Sequence, residues 1–148
     1  MTLSGTLSPA PTGLAFDTVT PITQAAAQQF NAQGCLFVAR YINRTVGVPS
    51  TPGAALCLSE AQLLLGAGLG LTLVQFGDNQ LVPSANEGNV AGAAAAANAL
   101  ALGFPSGGTI WCDIEFTPAA MPTSSQETIQ YINSWAAAVT SSGYAPGL

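Results

Sequence analysis

The stretch TIWCDIEF at residues 109–116 decides the expected fold of this chain. Its threonine, isoleucines and tryptophan favour extended structure, so the stretch predicts a buried strand. Asp113 and Glu115 lie two positions apart, and residues at that spacing point to the same face of a strand. Burying two carboxylates on one face of an apolar strand costs free energy unless they are paired or solvated. We therefore expect a functional site where this strand ends.

The chain around this stretch repeats a strand followed by a helix four times and then begins a fifth strand. The expected strands are residues 13–19, 35–42, 69–76, 109–116 and 144–148. The expected helices are residues 22–33, 60–67, 88–102 and 125–141, and a glycine follows each of them closely. Strands that are almost wholly apolar are typical of parallel sheets covered on both faces. We expect one α/β domain over residues 13–148, preceded by a flexible lead-in at residues 1–12.

The composition argues against several classes of function. The chain has no histidine, which removes Ser-His and Cys-His catalysis and most zinc sites. Arg40 and Arg44 are its only basic residues against seven acids, and the net charge of −5 argues against nucleic-acid binding. Acid–base chemistry would have to rest on carboxylates, with tyrosine and arginine assisting. The residues predict no metal and no cofactor.

The cysteines, the apolar runs and the amino terminus give little information about function. Cys35, Cys57 and Cys112 are irregularly spaced and odd in number, which favours buried free thiols and leaves one bridge open. No apolar run approaches the roughly 18 residues of a membrane span. The amino terminus has no signal-peptide pattern, so we expect a cytoplasmic protein, or a secreted one whose leader is missing here.

Polar residues cluster at the expected carboxyl ends of the strands: Asp17, Arg40, Tyr41, Gln75, Asp113 and Glu115. Short strand–helix repeats form either a doubly wound sheet or a barrel, and the first strand lacks the G-x-G-x-x-G of a dinucleotide-binding sheet. A (β/α)8 TIM barrel keeps its active site at the carboxyl ends of its strands. We therefore expect a partial TIM barrel of four units plus the start of a fifth strand. Such a fragment or shortened product would self-associate through its open edges.

Three motifs resemble the glycoside-hydrolase-like domain of unknown function family 1906: AFDTVTPIT at the first strand, FVARYI at the second and IWCDIE at the fourth. That family is similar to the family-25 glycoside hydrolases, the barrel lysozymes that cut peptidoglycan. The resemblance covers residues 13–148 and only the amino-terminal portion of the family. It implies a barrel fold and a glycan ligand, an amino-sugar polymer such as peptidoglycan.

The resemblance also implies roles for individual residues. Asp17 corresponds to the acid that ends the first strand. Asp113 and Glu115 correspond to a D-x-E pair whose glutamate is the proton donor in the lysozymes. Arg40 and Tyr41 match an Arg-Tyr pair of the family.

Each candidate residue also has a structural explanation. Asp17 could cap a helix, and the two acids near residue 113 could form a buried polar network with Arg40. Arg40 is expected to neutralise these acids or to contact substrate. Tyr41 and Gln75 could bind sugar hydroxyls or simply pack. Trp111 shares the face of the acids and is expected to lie beneath them as an apolar wall that suits a general acid.

Two functions follow from these residues. The first is a glycoside hydrolase in which Glu115 protonates the leaving oxygen while Asp113 and Asp17 stabilise positive charge on the sugar. The second is a non-catalytic glycan-binding module or pseudoenzyme, or an inactive fragment of a longer barrel. A spacing of two residues puts the Cα atoms roughly 6–7 Å apart, which leaves both retaining and inverting hydrolysis open.

Overall fold

In the part of the chain that the structure describes, five strands and four helices alternate, which confirms the repeat expected from the sequence. The computed structural model describes Leu3, Leu7 and residues 12–76, 81–114 and 125–148. The strands β1 to β5 are Leu14–Thr18, Cys35–Ile42, Gly70–Phe76, Thr109–Asp113 and Ala145–Gly147. The helices α1 to α4 are Gln24–Ala32, Leu58–Gly66, Ala85–Leu102 and Ser125–Ser141. Within the expected lead-in, Leu3 packs against the hydrophobic core.

The five strands form one parallel sheet in the order in which they occur in the chain. The register places Arg40 of β2 between Thr18 of β1 and Leu73 of β3. In the described part of the chain, β1 and β5 each have one neighbouring strand, so the sheet is open. The fold is therefore an α/β fold with an open five-stranded parallel sheet, and the expected barrel is not confirmed.

All four helices contact the same face of the sheet. The contacting pairs, helix residue first, are Phe30–Phe16, Glu60–Arg40, Ala91–Gln75 and Trp135–Gln75. The opposite face carries Phe76 and Trp111, which are 43% and 41% exposed. The expectation of a sheet covered on both faces is therefore wrong for the described residues. Apolar residues occupy both faces of β3 and β4, so the sequence pattern alone does not tell a covered face from an open one.

Capping side chains set the helix boundaries. Thr23 caps α1, because its side-chain oxygen accepts a hydrogen bond from the Ala26 backbone N–H. Helix α3 begins three residues before the expected start, because the Ser84 hydroxyl accepts a hydrogen bond from the Glu87 backbone N–H. It ends where expected, at Gly103 with φ 76°. Helix α2 begins at Leu58, two residues before its expected start.

Two glycines let α3 and α4 pack with their backbones in contact. A Cβ atom on Gly88 would overlap the carbonyl oxygen of Tyr131. A Cβ atom on Gly92 would lie 2.5 Å from the carbonyl oxygen of Trp135. Any larger residue at either position would push the helices apart, because backbone atoms have no rotamer by which to move away.

All three cysteines are free, and Cys57 and Cys112 are buried while Cys35 is partly exposed. Among the described residues, no helix combines the length and hydropathy that crossing a membrane requires.

Candidate functional site

Three of the predicted site residues meet at the carboxyl edge of the open sheet face. Tyr41 of β2 lies between Asp17 of β1 and Asp113 of β4. Its hydroxyl oxygen is 3.2 Å from Asp17 Oδ2 and 3.5 Å from Asp113 Oδ2. Residues far apart in the chain thus form one polar cluster, as parallel strands bring their carboxyl ends to a common edge.

The chemistry of this cluster follows from the single proton of a phenol. Tyr41 can donate a hydrogen bond to only one carboxylate at a time, and the shorter separation favours Asp17. Asp17 does not cap a helix, because Thr23 does so for α1. Two acceptor groups therefore stand beside one hydroxyl on an accessible face, an arrangement that can accept hydrogen bonds from the hydroxyls of a ligand.

Glu115, the second acid of the D-x-E pair, lies outside the described residues. Its place beside Asp113 and its role as proton donor remain predictions. Among the described residues, there is no group of three or more His, Cys, Asp or Glu side chains that could hold a metal ion.

Aromatic side chains surround the acids on the same face. Trp111 lies two positions before Asp113 on β4, as alternation predicts, and its indole N–H donates to Thr72 Oγ1 at 3.2 Å. Phe76 is the register partner of Asp113 and meets Tyr41 edge to face, with ring centroids 6.0 Å apart. Phe76 was not predicted as a site residue, because its side chain is apolar and the strand ends were recognised by their polar residues. Alternation with Gln75 would have identified it.

Arg40 does not belong to this cluster, and the expectation that it neutralises the site acids or contacts substrate is corrected. The side chain is fully buried on the helix-facing side of β2. It forms an ion pair with Glu60 of α2, with Nε 2.9 Å from Oε1. Adjacent strand residues point to opposite faces, so Arg40 faces the helices because its neighbour Tyr41 faces the site.

Gln75 is corrected in the same way. It is buried on the helix-facing side of β3, where Nε2 donates to the Ala91 carbonyl oxygen at 2.9 Å. Its Oε1 accepts the indole N–H of Trp135 at 2.7 Å. The amide thus satisfies buried donors and acceptors between the sheet and two helices, and it does not reach the open face.

Two buried side chains behind the site, Cys112 and Tyr131, carry groups that can lose a proton. Burial raises the pKa of the Cys112 thiol to about 12, with the neighbouring charge of Asp113 also raising it and that of Arg44 lowering it. Burial likewise raises the pKa of Tyr131 to about 12, with the charges of Cys112 and Glu87 also raising it and Arg44 opposing them. Both groups stay protonated in the folded state until the pH is strongly alkaline.

We expect the free energy of unfolding to fall as the pH rises from about 9 to 12. The unfolded chain ionises its thiol near 9.0 and its tyrosine near 10.0, whereas the folded chain keeps both protons to about 12. Ionisation then stabilises the unfolded state by roughly 1.4 kcal/mol per pH unit per group. Urea denaturation across this range measures the slope, and Cys112→Ala should flatten it. A slope that is the same in wild type and Cys112→Ala would contradict the assignment.

Comparisons with known proteins identify a family and a fold. A family model described as Rv2525c-like, glycoside hydrolase-like domain matches residues 28–148, which confirms the family resemblance read from the motifs. The search of curated proteins gives no match.

Solved structures resemble this chain at the level of the fold. One is an uncharacterized B. stearothermophilus protein, 24% identical with a TM-score of 0.65, over 89% of this chain and 57% of that one. Another is the Mycobacterium tuberculosis Tat-secreted protein Rv2525c in complex with HEPES, 22% identical with a TM-score of 0.61. Its complex with L-tartrate is also 22% identical, with a TM-score of 0.62. Both Rv2525c matches cover 88% of this chain and 65% of Rv2525c, so this chain spans less than two thirds of each structure.

Proposed function

Because the chain belongs to the Rv2525c-like, glycoside hydrolase-like domain family, we propose that it acts on a glycan at its open sheet face. The ligand class is an amino-sugar polymer such as peptidoglycan. The observation that carries the proposal is the Tyr41 hydroxyl placed between the carboxylates of Asp17 and Asp113.

The chemistry of the cluster supports a sugar ligand. Carboxylates accept hydrogen bonds from sugar hydroxyls and stabilise the positive charge that develops on a sugar ring during hydrolysis. The exposed rings of Phe76 and Trp111 offer apolar surface beside these polar groups. Binding sites for small molecules are typically lined by aromatic and apolar side chains with a small number of polar groups among them. Rv2525c was crystallised with HEPES and with L-tartrate, which supports a fold that accepts small polar ligands.

The proposed hydrolytic step uses acids alone. Glu115 protonates the leaving glycosidic oxygen as the glycosidic bond breaks, and Asp113 and Asp17 stabilise the sugar cation. A water molecule then adds to that cation and gives a proton back to the Glu115 carboxylate. Tyr41 orients the aspartate to which its hydroxyl donates a hydrogen bond. The proposal includes a (β/α)8 barrel as the complete fold, supported by five strands in sequential order with all described helices on one face. The unpaired edges of this open sheet support self-association of the chain.

A non-catalytic glycan-binding module is the second candidate function. It is favoured by the exposure of Phe76 and Trp111, since aromatic surface contributes to binding without any proton donor. The two candidates differ in whether the bound glycan is cleaved.

Glu115→Gln is expected to abolish hydrolysis of an amino-sugar oligosaccharide while changing its affinity little. The amide keeps the shape of the carboxyl group but cannot donate a proton to the leaving oxygen. Product formation measured by mass spectrometry, together with calorimetric binding, separates the two effects. Glu87→Gln, which removes an exposed carboxylate paired with Arg44, is the matched control and should leave both unchanged. Equal turnover in Glu115→Gln and wild type would contradict the catalytic assignment, and binding without turnover in the wild type would favour the second candidate.

A further inference from the structure

The buried ion pair beneath the site holds the ends of two strands and the start of two helices together. Arg40 and Arg44 are the chain's only basic residues, and Arg40 is 0% exposed. Its Nε and Nη2 donate to the two carboxylate oxygens of Glu60 at 2.9 and 3.0 Å. The guanidinium also donates to three backbone carbonyl oxygens, those of Thr18, Gly53 and Ala54.

Glu60 extends the same network to the first helix. Its Oε1 accepts the backbone N–H of Ile22 at 2.9 Å, in addition to Arg40 Nε. The end of β1, the segment leading into α1, the loop before α2 and α2 itself are thus joined through one ion pair. A buried ion pair adds little net stability over an apolar pair of the same volume, because both charges are desolvated. Its bidentate fork does fix geometry, since donors and acceptors must keep their directions.

The ion pair and the acid cluster lie on opposite faces of the same two strands. Thr18, whose carbonyl oxygen Arg40 holds, directly follows Asp17, and Thr18 and Arg40 are register partners. Tyr41 directly follows Arg40 and points to the open face. Fixing the Thr18 carbonyl and the Arg40 side chain therefore also fixes the backbone from which Asp17 and Tyr41 project.

The geometry points to Arg40 and Glu60 as positioning residues that hold the Asp17 carboxylate against the Tyr41 hydroxyl. Neither residue touches the ligand. They act through the Thr18 carbonyl oxygen and the β2 backbone. This inference rests on the proposed function only for the statement that the site binds a glycan. The contact between Asp17 and Tyr41 itself exists without a ligand.

A double-mutant cycle read by NMR tests this inference on the unliganded full chain. The readout is the carboxyl-carbon signal of Asp17 in protein labelled at aspartate, and the quantity is its displacement on Tyr41→Phe. In the Arg40→Lys background, which keeps the charge but loses the fork, we expect this displacement to fall to about half or less. Glu60→Gln keeps the acceptor for Ile22 but removes the negative charge, and it should reduce the displacement as well.

Leu64→Ala provides the matched control for a merely structural effect. Leu64 is 0% exposed and lies on α2 with Glu60, so its truncation should destabilise the fold and lower the urea concentration at which the chain unfolds. It should nevertheless leave the Tyr41→Phe displacement unchanged. A full displacement in Arg40→Lys, or in Glu60→Gln where Arg40→Lys does not fold, would overturn the inference. A displacement reduced equally by Leu64→Ala would also overturn it.

Glycan titration of the same proteins separates this inference from the proposed function. If the displacement falls as expected but no amino-sugar oligosaccharide binds, the positioning role stands and the proposed function fails. If the oligosaccharide binds at Asp113 while Arg40→Lys leaves the displacement intact, the proposed function stands and the positioning role fails.

Discussion

Gly92→Ala is expected to lower the free energy of unfolding by about 3 kcal/mol or more, or to prevent folding. The new Cβ would lie 2.5 Å from the Trp135 carbonyl oxygen and 2.9 Å from Ala138 Cβ. The helix backbone that it meets cannot change rotamer, so α3 and α4 must separate and lose apolar contact. Gly88→Ala should act similarly through the carbonyl oxygen of Tyr131. Urea denaturation followed by circular dichroism measures both variants.

Gly66→Ala is the matched control, because it makes the same chemical change in the last turn of helix α2. Nothing lies within 4 Å of a Cβ at Gly66. Alanine favours a helix over glycine by about 1 kcal/mol, so this variant should be as stable as the wild type or more so. Gly92→Ala with wild-type stability would contradict the close packing of α3 on α4.

Trp135→Ala is expected to cost about 3–5 kcal/mol, because Trp135 is 0% exposed and its removal leaves a cavity between α4 and the sheet. Trp135→Phe keeps an aromatic ring but leaves Gln75 Oε1 without its 2.7 Å donor. An unpaired buried acceptor costs about 1–3 kcal/mol, which we expect for the phenylalanine variant. Thermal and urea denaturation should rank the wild type above Trp135→Phe and that above Trp135→Ala.

Trp111→Phe makes the same substitution on the open face and controls for the change of ring. Trp111 is partly exposed, so the Thr72 hydroxyl can bond to water when the indole N–H is removed. Exposed positions usually change stability by about 0.5 kcal/mol or less. Equal losses for Trp135→Phe and Trp111→Phe would contradict the role given to the buried hydrogen bond of Gln75.

The sequence predicted the elements well and their environment less well. Strand β2 was expected at the residues where it occurs, because an apolar run between a glycine and a polar loop has few alternatives. Helix α3 begins at Ala85, before the expected start, because Ser84 caps it from within the segment that the pattern leaves between the third strand and the third helix. Alternation places Cys112 on the strand face opposite Asp113, and the structure buries this thiol, as expected from the sequence.

The candidate site was predicted in part. Alternation places Tyr41 and Asp113 on one face, but it does not say which face the helices cover. Because the helices cover the face opposite Tyr41, the side chains of Arg40 and Gln75 lie among the helices, and predicting them as site residues was wrong. Glu60 carried no sequence signal of its own, because its partnership with Arg40 depends on how α2 packs on β2.

We propose that Asp17, Tyr41 and Asp113 form a glycan site on the open sheet face. The most direct test is a titration of isotope-labelled chain with an N-acetylated amino-sugar oligosaccharide, followed by NMR in the wild type and in Asp113→Asn. We expect the signals of these three residues and of Phe76 to shift on binding. We expect Asp113→Asn to weaken the affinity about tenfold, because it removes a charged hydrogen-bond acceptor. Binding that leaves this face unperturbed, or equal affinity in wild type and Asp113→Asn, would contradict it.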